Sequence, residues 1–502
     1  MKHSGPRIAV HGAGSVVFTR HLVRDVLAVE ALAHTLFALH DINPTNLDMA
    51  LQLASKDIRN HNSPSVVSAT TDRREALRDA DYVINLTRIG GLEAFQTDID
   101  IPLKYGIDQC VGDTVCAGGI MYGQRNVPEI LAFLADMKLV SKPNAIFFNY
   151  ANPMAINCWA ALEAFPEIQT IGFCHGIEHG WDQIAEVLGG KYPDNINGTC
   201  AGINHQTWYT DIRKGGRSIN ADELLAAYEK HPKFSQTEKC RIDILKRFGF
   251  YSTESNGHLS EYLPWYRKRP QDIHKWIDTS LWIYGETGGY LRVCIEGRNW
   301  FETDFPRWLE ANDAPISQES RSSERISYVI EALETGKRYR TYMNLRNQGC
   351  ISNLAVDAIV EVPVYVDGLG IHVPKVGELP LACAATCEAS INVQRMAMRA
   401  AVTGDVMLLK QATLHDPLVG AVCSPDEVWH MVDEMLVAQA KWLPQYAHAI
   451  EAAKHRSANN GQVKTIEYRG AARKKIKSIK ELRNDNSELA WLAAGDGKKT
   501  LD

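Results

Sequence analysis

A short apolar run that closes on two glycines constrains the fold of this chain more than any other feature. The run "RIAVHGAG" leads directly into "SVVFTRHLVRDVLAV", whose apolar residues recur at helical spacing. Gly12 and Gly14 therefore stand between a predicted strand and a predicted helix. Glycine at this place allows a tight turn and lets the backbone approach a pyrophosphate at the helix N-terminus. The pattern is typical of the first βα turn of a dinucleotide-binding fold.

The second apolar run, "TLFALHDIN", ends in an acidic residue. Asp41 lies where a dinucleotide-binding chain places the carboxylate that holds a ribose hydroxyl, and its charge would repel a 2′-phosphate. Val17 replaces the third glycine of the usual fingerprint, and glycine pairs in turns also occur for purely structural reasons. We predict that Gly12, Gly14, Ser15 and Asp41 bind NAD rather than NADP.

The alternation of short apolar runs and helical segments continues through the first 200 residues. The further runs are "DADYVINLTRIGG", "AIFFNYANP" and "QTIGFCHG". This pattern predicts an α/β fold, a Rossmann-type doubly wound parallel sheet that forms an NAD-binding domain over residues 1–200. Beyond it, aromatic-rich segments, a β-rich piece and long helices predict a mixed α/β domain over residues 201–502. One of those helices begins with a predicted capping box at Ser424 and Glu427, with Pro425 at its first position.

Composition excludes several classes of partner. The net charge of −6 over 502 residues gives no electrostatic footprint for nucleic acid or an anionic membrane. No apolar run approaches the roughly 18 residues that span a bilayer. The 11 cysteines show no paired spacing, which fits reduced thiols better than a disulfide framework. We expect a cytoplasmic protein that binds neither nucleic acid nor membrane.

The stretch "IGFCHGIEHGW" permits three interpretations of Cys174. As a nucleophile it would need a base, but His175 would point to the opposite face of a strand, and no cysteine-protease signature surrounds His179. As a metal ligand it could pair with His205 of "CAGINHQTW", in a site with open positions for substrate and water. A buried structural cysteine is the more frequent case in proteins generally.

Several motifs, in order along nearly the whole chain, resemble glycoside hydrolase family 4, the NAD- and metal-dependent glycosidases. They are "GAGSVVFTR", "LHDIN", "IPLKYGIDQ", "GDT", "NYANPMAINCWA", "GFCHG", "AGINHQTW", "TESNGHLSEYLPWYRK", "VEVPVYVDGLGIHVPKVGELP" and "LHDPLVGAVCS". The resemblance implies a lactate/malate dehydrogenase-like fold extended by an α/β domain that serves catalysis and oligomerisation. It also implies a homodimer or homotetramer.

The same resemblance assigns roles to individual residues. Cys174 and His205 match the ligands of a divalent metal, usually Mn²⁺. Asn152 of "NYANPM" matches the asparagine that lies between cofactor and sugar. Tyr262 of "SEYLPW" matches the tyrosine base, with Tyr266 as its nearest competitor. The implied reaction oxidises C3 of the sugar with NAD⁺, removes the C2 proton with Tyr262, eliminates the aglycone from C1, adds water and reduces the ketone.

The residues near the sugar suggest a substrate class. His175 stands where the members that cleave 6-phosphosugars carry Asp or Asn, so it is a candidate leaving-group acid or substrate contact, or a structural histidine. The motif "CHG" resembles the α-glucuronidase branch, and Arg88 of "TRIGG" replaces a neutral residue. Arg88 could bind a uronate carboxylate, although it could equally meet the cofactor pyrophosphate or an acid. Arg125 is a further candidate for substrate binding.

The sequence therefore predicts a glycosidase of unphosphorylated α-glycosides, with an α-glucuronide as the preferred substrate. An α-galactosidase or α-glucosidase of the same family is the alternative. A different class, an NAD-dependent dehydrogenase of 2-hydroxy acids, would use the same nucleotide domain without the Cys174 and His205 pair.

Overall fold

The computed structural model describes residues 5–253, 255–277, 291, 294, 300–322 and 324–459. The end of the predicted second domain, residues 460–502, lies outside the described residues. Within the described part, no helix combines the length and the apolar character needed to cross a membrane.

Six parallel strands form the first half of the sheet. They are β1 (Arg7–His11), β2 (Leu36–His40), β3 (Val66–Thr70), β4 (Tyr82–Asn85), β5 (Ile146–Asn149) and β6 (Thr170–Gly172). Their order in the sheet is β3-β2-β1-β4-β5-β6, and each neighbouring pair is parallel. This is the doubly wound order of nucleotide-binding folds, so the predicted fold class is confirmed.

Helices follow these strands in alternation. They are α1 (Val16–Leu27), α2 (Pro44–Asn60), α3 (Arg73–Leu77), α4 (Gly91–Lys104), α5 (Cys116–Val140), α6 (Met154–Ala164) and α7 (Gly176–Leu188). The strands β4 and β5 are buried at every position, because helices cover both faces of a parallel sheet. α2 begins where the Asn43 side chain accepts hydrogen bonds from the Thr45 and Asn46 amides.

The strands beyond residue 195 continue the same sheet in antiparallel pairs. They are β7 (Ile196–Ile203), β8 (Gln206–Lys214), β9 (Arg217–Ser218), β10 (Tyr251–Ser252), β11 (Tyr339–Arg346), β12 (Ile359–Asp367) and β13 (Gly370–His372). From β6 the order runs β11-β12-β7-β8-β10, while β9 pairs with β8 and β13 pairs with β12. The described strands of both predicted domains therefore belong to one sheet.

The remaining helices pack beside this sheet. They are α8 (Ala221–Lys230), α9 (Phe234–Thr237), α10 (Lys239–Phe248), α11 (Asn256–Tyr262), α12 (Pro270–Trp276), α13 (Trp300–Glu310), α14 (Ile326–Thr335), α15 (Leu381–Thr403), α16 (Val406–His415), α17 (Pro417–Val422), α18 (Pro425–Ala438) and α19 (Ala447–Asn459). The capping box of Ser424 and Glu427 is present at the start of α18, as predicted.

A shared core links the two predicted domains. One hydrophobic cluster contains Ile120 of α5 and Trp159 of α6 together with Val360 of β12, Met398 of α15 and Met431 of α18. The apolar faces of the long C-terminal helices thus pack against helices of the nucleotide-binding half. The division at residue 200 stays a prediction about domains, since the sheet and this cluster both cross it.

Candidate active site

The loop after β1 has the geometry that a dinucleotide requires. Gly12 has a φ of 87°, and its amide donates to the carbonyl of His40 at 2.9 Å. The Gly14 amide donates to Oδ2 of Asp41 at 2.7 Å. A Cβ atom added to Gly12 would lie 2.9 Å from the carbonyl carbon of Leu86. One added to Gly14 would lie 2.6 Å from the Asp41 carboxylate. Only glycine fits either place without displacement.

Ser15 completes this loop at the N-cap of α1. Its side chain does not cap the helix and lies exposed at the surface. The structure thus brings together Gly12, Gly14, Ser15 and Asp41 at one helix N-terminus, where backbone amides and the helix dipole favour a phosphate. These residues fit an NAD molecule.

Tyr262 and His205 form a buried contact with each other. His205 occupies the two-residue turn between β7 and β8 with a φ of 61°, and Tyr262 is the last residue of α11. Nδ1 of His205 lies 3.1 Å from the Tyr262 hydroxyl and 3.1 Å from Oγ1 of Thr114. The His258 ring stacks on both, with centroid distances of 4.9 Å to His205 and 5.7 Å to Tyr262.

Asp113 joins the other predicted substrate residues. Its Oδ2 accepts a hydrogen bond from Nδ2 of Asn152 at 3.2 Å and lies 3.3 Å from the Arg88 guanidinium. That guanidinium also lies over the rings of Phe95 and Tyr122, at 4.6 and 5.0 Å from their centroids. Asp113 therefore connects Arg88 with Asn152.

The same carboxylate connects these residues to the His205 cluster. The Thr114 hydroxyl donates to Oδ1 of Asp113 at 3.0 Å, and Thr114 in turn contacts His205. Arg88, Asn152 and His205, which lie far apart in the sequence, thus converge on the adjacent pair Asp113 and Thr114. Tyr262 joins them through His205.

Cys174 and His175 lie at the start of α7. The Gly176 amide donates to Sγ of Cys174 at 3.4 Å, and amides at a helix N-terminus favour an anionic sulfur. His175 is the N-cap residue, with a side chain 49% exposed. Its Nδ1 lies 3.9 Å from Oε1 of Glu324, and its ring packs against that of His179 at 4.9 Å.

One step of the sequence interpretation was wrong at this point. Cys174 and His175 do not alternate along a strand, because β6 already ends at Gly172 and both residues lie in the connection to α7. His175 therefore cannot be dismissed as a partner of Cys174 on the ground that the two side chains point to opposite faces of a strand.

Cys174 and His205 offer the donor atoms of a metal site with few protein ligands. Within the described residues, no group of three or more His, Cys, Asp or Glu side chains gathers around a common point. A thiolate and an imidazole suit a divalent transition metal, and a site of two protein ligands leaves positions for substrate oxygens and water. The donor types of Cys174 and His205 therefore suit an open metal site, and their role as its ligands stays a prediction.

Arg125 lies in the protein core. Its guanidinium makes two bonds to the Asp98 carboxylate, at 2.9 and 2.6 Å, and both side chains are 1% exposed. It also donates to the carbonyl of Ile89 at 3.2 Å and to Gln439. Burial raises the pKa of Asp98, which Arg125 opposes. This placement favours a structural role over the substrate contact that the sequence predicted.

Replacing Arg125 by methionine should therefore lower the stability of the fold. Removing one partner of a buried ion pair leaves an uncompensated charge and costs about 3–5 kcal/mol in the free energy of unfolding. Urea unfolding would measure the loss, with Arg399→Met as the control, because Arg399 is exposed and its guanidinium lies 3.8 Å from Glu163. If the Arg125→Met variant had normal stability and a raised KM for the sugar, Arg125 would be a substrate-binding residue.

The structure also separates the two tyrosines of "SEYLPWY". Tyr262 faces His205, whereas the Tyr266 hydroxyl donates to Oδ2 of Asp243 at 2.8 Å. Burial and the hydrogen bond to Asp243 raise the pKa of Tyr266 well above its usual value. The Tyr266 hydroxyl thus keeps its proton in the hydrogen bond to Asp243 and is less suited than Tyr262 to take a proton from a sugar.

Sequence reasoning missed the residues that hold the cluster together. They are Asp113, Thr114, His258 and Glu261, whose carboxylate accepts hydrogen bonds from the amides of Cys110, Val111 and Gly112. The tripeptide "GDT" was visible as a motif, and His258 and Tyr262 stand four residues apart on one helix face. Neither signal assigns a role without the contacts across the fold.

Comparison with known proteins identifies the family. The chain matches the model of family 4 glycosyl hydrolases over residues 7–189 and that of the family 4 glycosyl hydrolase C-terminal domain over residues 200–419. It is 57% identical to an α-galactosidase of Rhizobium meliloti (strain 1021), over 97% of this chain and 99% of the relative. It is 34% identical to an α-galactosidase of Bacillus subtilis (strain 168), over 88% of this chain and 99% of that relative.

A solved structure shows the same fold. The crystal structure of a 6-phospho-α-glucosidase from gut microorganisms in complex with NAD and Mn²⁺ matches with a TM-score of 0.73 and 19% identity, over 88% of this chain and 99% of that one. The family match confirms the resemblance found in the motifs. It favours a glycosidase over the alternative of a 2-hydroxy-acid dehydrogenase. The chain belongs to glycoside hydrolase family 4 and is a glycosidase.

Proposed function

We propose that this protein hydrolyses α-galactosides and uses NAD and a divalent metal such as Mn²⁺. The α-galactosidase of Rhizobium meliloti, which aligns with nearly the whole chain, supports the choice of sugar. The glycine loop with Asp41 supports NAD, and the thiol of Cys174 with the imidazole of His205 supports the metal. The cytoplasmic location and the homodimer or homotetramer stay predictions, and light scattering after size-exclusion chromatography would test the latter.

The observation that carries the proposal is the convergence of Arg88, Asn152 and His205 on Asp113 and Thr114, with Tyr262 on His205. Asn152 and Arg88 contact the Asp113 carboxylate, while Tyr262 and Thr114 contact the same nitrogen of His205. The proposed base and the proposed metal ligand are thereby held 3.1 Å apart, and Thr114 and Asp113 connect them to the Asn152 amide. This arrangement suits the removal of a proton from a carbon next to a metal-polarised group.

The chemistry divides between bound groups and side chains. When bound, NAD would supply reversible hydride transfer, and the metal would polarise a sugar oxygen. Tyr262, which is 2% exposed, would take the proton from C2 away from bulk water. Asn152 would orient the sugar. His175, at the exposed start of α7, would donate a proton to the leaving group.

The contacts of Arg88 argue against the α-glucuronide that the sequence favoured. A uronate site needs a cationic side chain with donors directed at the ligand. The Arg88 guanidinium is already beside Asp113 and between two aromatic rings. Its charge therefore balances an internal carboxylate, and a neutral galactoside fits the site better than an acidic sugar.

Arg88→Gln should consequently reduce turnover of neutral and acidic glycosides alike. Loss of Arg88 leaves Asp113 without its cation, and a hydrogen bond to a charged group is worth about 1.5–3 kcal/mol, or roughly one to two decades. Steady-state kinetics on p-nitrophenyl α-galactoside and α-glucuronide would measure both. A loss confined to the glucuronide would restore Arg88 to carboxylate recognition.

A substrate panel tests the proposed function as a whole. The wild-type protein is assayed with p-nitrophenyl α-galactoside, α-glucoside, α-glucuronide and α-galacturonide, in the presence of NAD⁺, Mn²⁺ and a reductant. We expect the α-galactoside to give the highest kcat/KM and expect activity to disappear when NAD⁺ or the metal is removed. A preference for either uronide would overturn the proposed substrate.

A further inference from the structure

A chain of four buried groups links a carboxylate to the proposed metal ligand and base. It runs from Asp113 through the Thr114 hydroxyl and His205 Nδ1 to the Tyr262 hydroxyl, over distances of 3.0, 3.1 and 3.1 Å. All four side chains are at most 7% exposed. We infer that Thr114 is a positioning residue that fixes which nitrogen of His205 carries the proton; this inference rests on the proposed function.

The direction of the chain follows from the chemistry of its first member. The Asp113 carboxylate, paired with Arg88, can only accept hydrogen bonds. A threonine hydroxyl has one proton, which Thr114 donates to Asp113. The Thr114 oxygen can therefore interact with His205 only as an acceptor. Nδ1 of His205 must carry a hydrogen.

This tautomer has consequences on both sides of the ring. Nδ1–H is shared between Thr114 and the Tyr262 oxygen, so that oxygen accepts a hydrogen bond and is stabilised as a proton acceptor. A divalent metal would then have to be held through Nε2 of His205, because a ring nitrogen that carries a proton cannot coordinate. Thr114 thus acts on the base and the metal ligand through one imidazole.

The surroundings hold Thr114 in place for this role. The segment before it is fixed by Glu261, which accepts from the amides of Cys110, Val111 and Gly112. The segment after it is fixed by Asp416, whose Oδ2 accepts from the Cys116 amide at 2.9 Å. The buried carboxylates of Glu261 and Asp416 therefore hold the backbone on both sides of Thr114, whose hydroxyl contacts His205.

The test compares Thr114→Val, which keeps the shape and removes the hydroxyl, with Thr114→Ser, which keeps the hydroxyl. Mn²⁺ binding to the full-length protein is measured by the electron paramagnetic resonance signal of the free ion. Loss of a group that orients a metal-binding histidine typically weakens the metal by about 10- to 100-fold. We expect that loss for Thr114→Val, about threefold or less for Thr114→Ser, and unchanged NAD⁺ affinity for both.

Each result decides a different question. Equal Mn²⁺ affinity in the wild type and both variants would overturn the role of Thr114 while leaving the glycosidase proposal intact. A wild type that neither binds Mn²⁺ nor hydrolyses any glycoside would overturn the proposed function and this inference together.

A second measurement does not depend on the variants. Long-range ¹⁵N correlation spectra of histidine-labelled, metal-free protein, assigned with His205→Gln, report the tautomer of His205 directly. We expect the Nδ1–H form. An Nε2–H form in the wild type would contradict the inference even if Thr114→Val failed to fold.

Discussion

Cys174→Ser is expected to lower kcat/KM by about 10³-fold, while NAD⁺ affinity stays unchanged. A serine hydroxyl is a poor ligand for a divalent transition metal, and the metal contributes several kcal/mol to the transition state, each 1.4 kcal/mol being about tenfold in rate. The nucleotide loop of Gly12, Gly14 and Asp41 is built on other strands, so cofactor binding is independent of the thiol.

The measurement is a steady-state rate with Mn²⁺ titrated over a wide range, together with NAD⁺ binding followed by fluorescence. Cys423→Ser is the matched control, because Cys423 is buried and its thiol donates to the carbonyl of Tyr105. Near-normal turnover of Cys174→Ser without added metal would show that Cys174 is a structural thiol and not a metal ligand.

Tyr262→Phe is expected to reduce kcat by about 10²- to 10⁴-fold, the usual contribution of a positioned general base. The substitution removes only the oxygen that lies 3.1 Å from His205 and leaves the ring to stack on His258. The fold should therefore persist, and the loss should fall on kcat more than on KM, because the tyrosine oxygen acts in the proton transfer.

Tyr266→Phe provides the comparison on the same segment. It removes a hydrogen bond to Asp243 and should cost about 1 kcal/mol of stability with little effect on turnover. A reversal of the two results, with Tyr266→Phe inactive and Tyr262→Phe active, would exchange the roles of the two tyrosines.

The fold and the nucleotide loop could be predicted from the sequence because their signals are local. A strand, a glycine turn and a helix occupy about 20 consecutive residues, and the contact of Gly14 with Asp41 follows from the pairing of β1 with β2. Cys174 and His205 as metal ligands were one of several open interpretations of the residues, and the resemblance chose between them. Asn152 and Tyr262 were found through resemblance alone, since no periodicity connects residues so far apart. The structure brings Asn152, His205 and Tyr262 to one hydrogen-bonded cluster.

Other features depended on long-range packing that no local pattern encodes. Arg125 belongs to the core because Asp98 and Gln439 meet it there, and an arginine in a helix gives no sign of which way it faces. Thr114 contacts a histidine 91 positions later, in a loop held by carboxylates from α11 and from the start of α17. Such contacts exist only once the strands have assembled into the sheet, so no local sequence pattern predicts them.

We propose that Tyr262 of this chain removes the C2 proton of an α-galactoside during turnover. The most direct test is turnover of p-nitrophenyl α-galactoside in D₂O with NAD⁺ and Mn²⁺, followed by NMR and mass spectrometry of the released galactose. We predict deuterium at C2 of the product, with no net accumulation of NADH. Galactose that is released at a normal rate without deuterium at C2 would contradict the account.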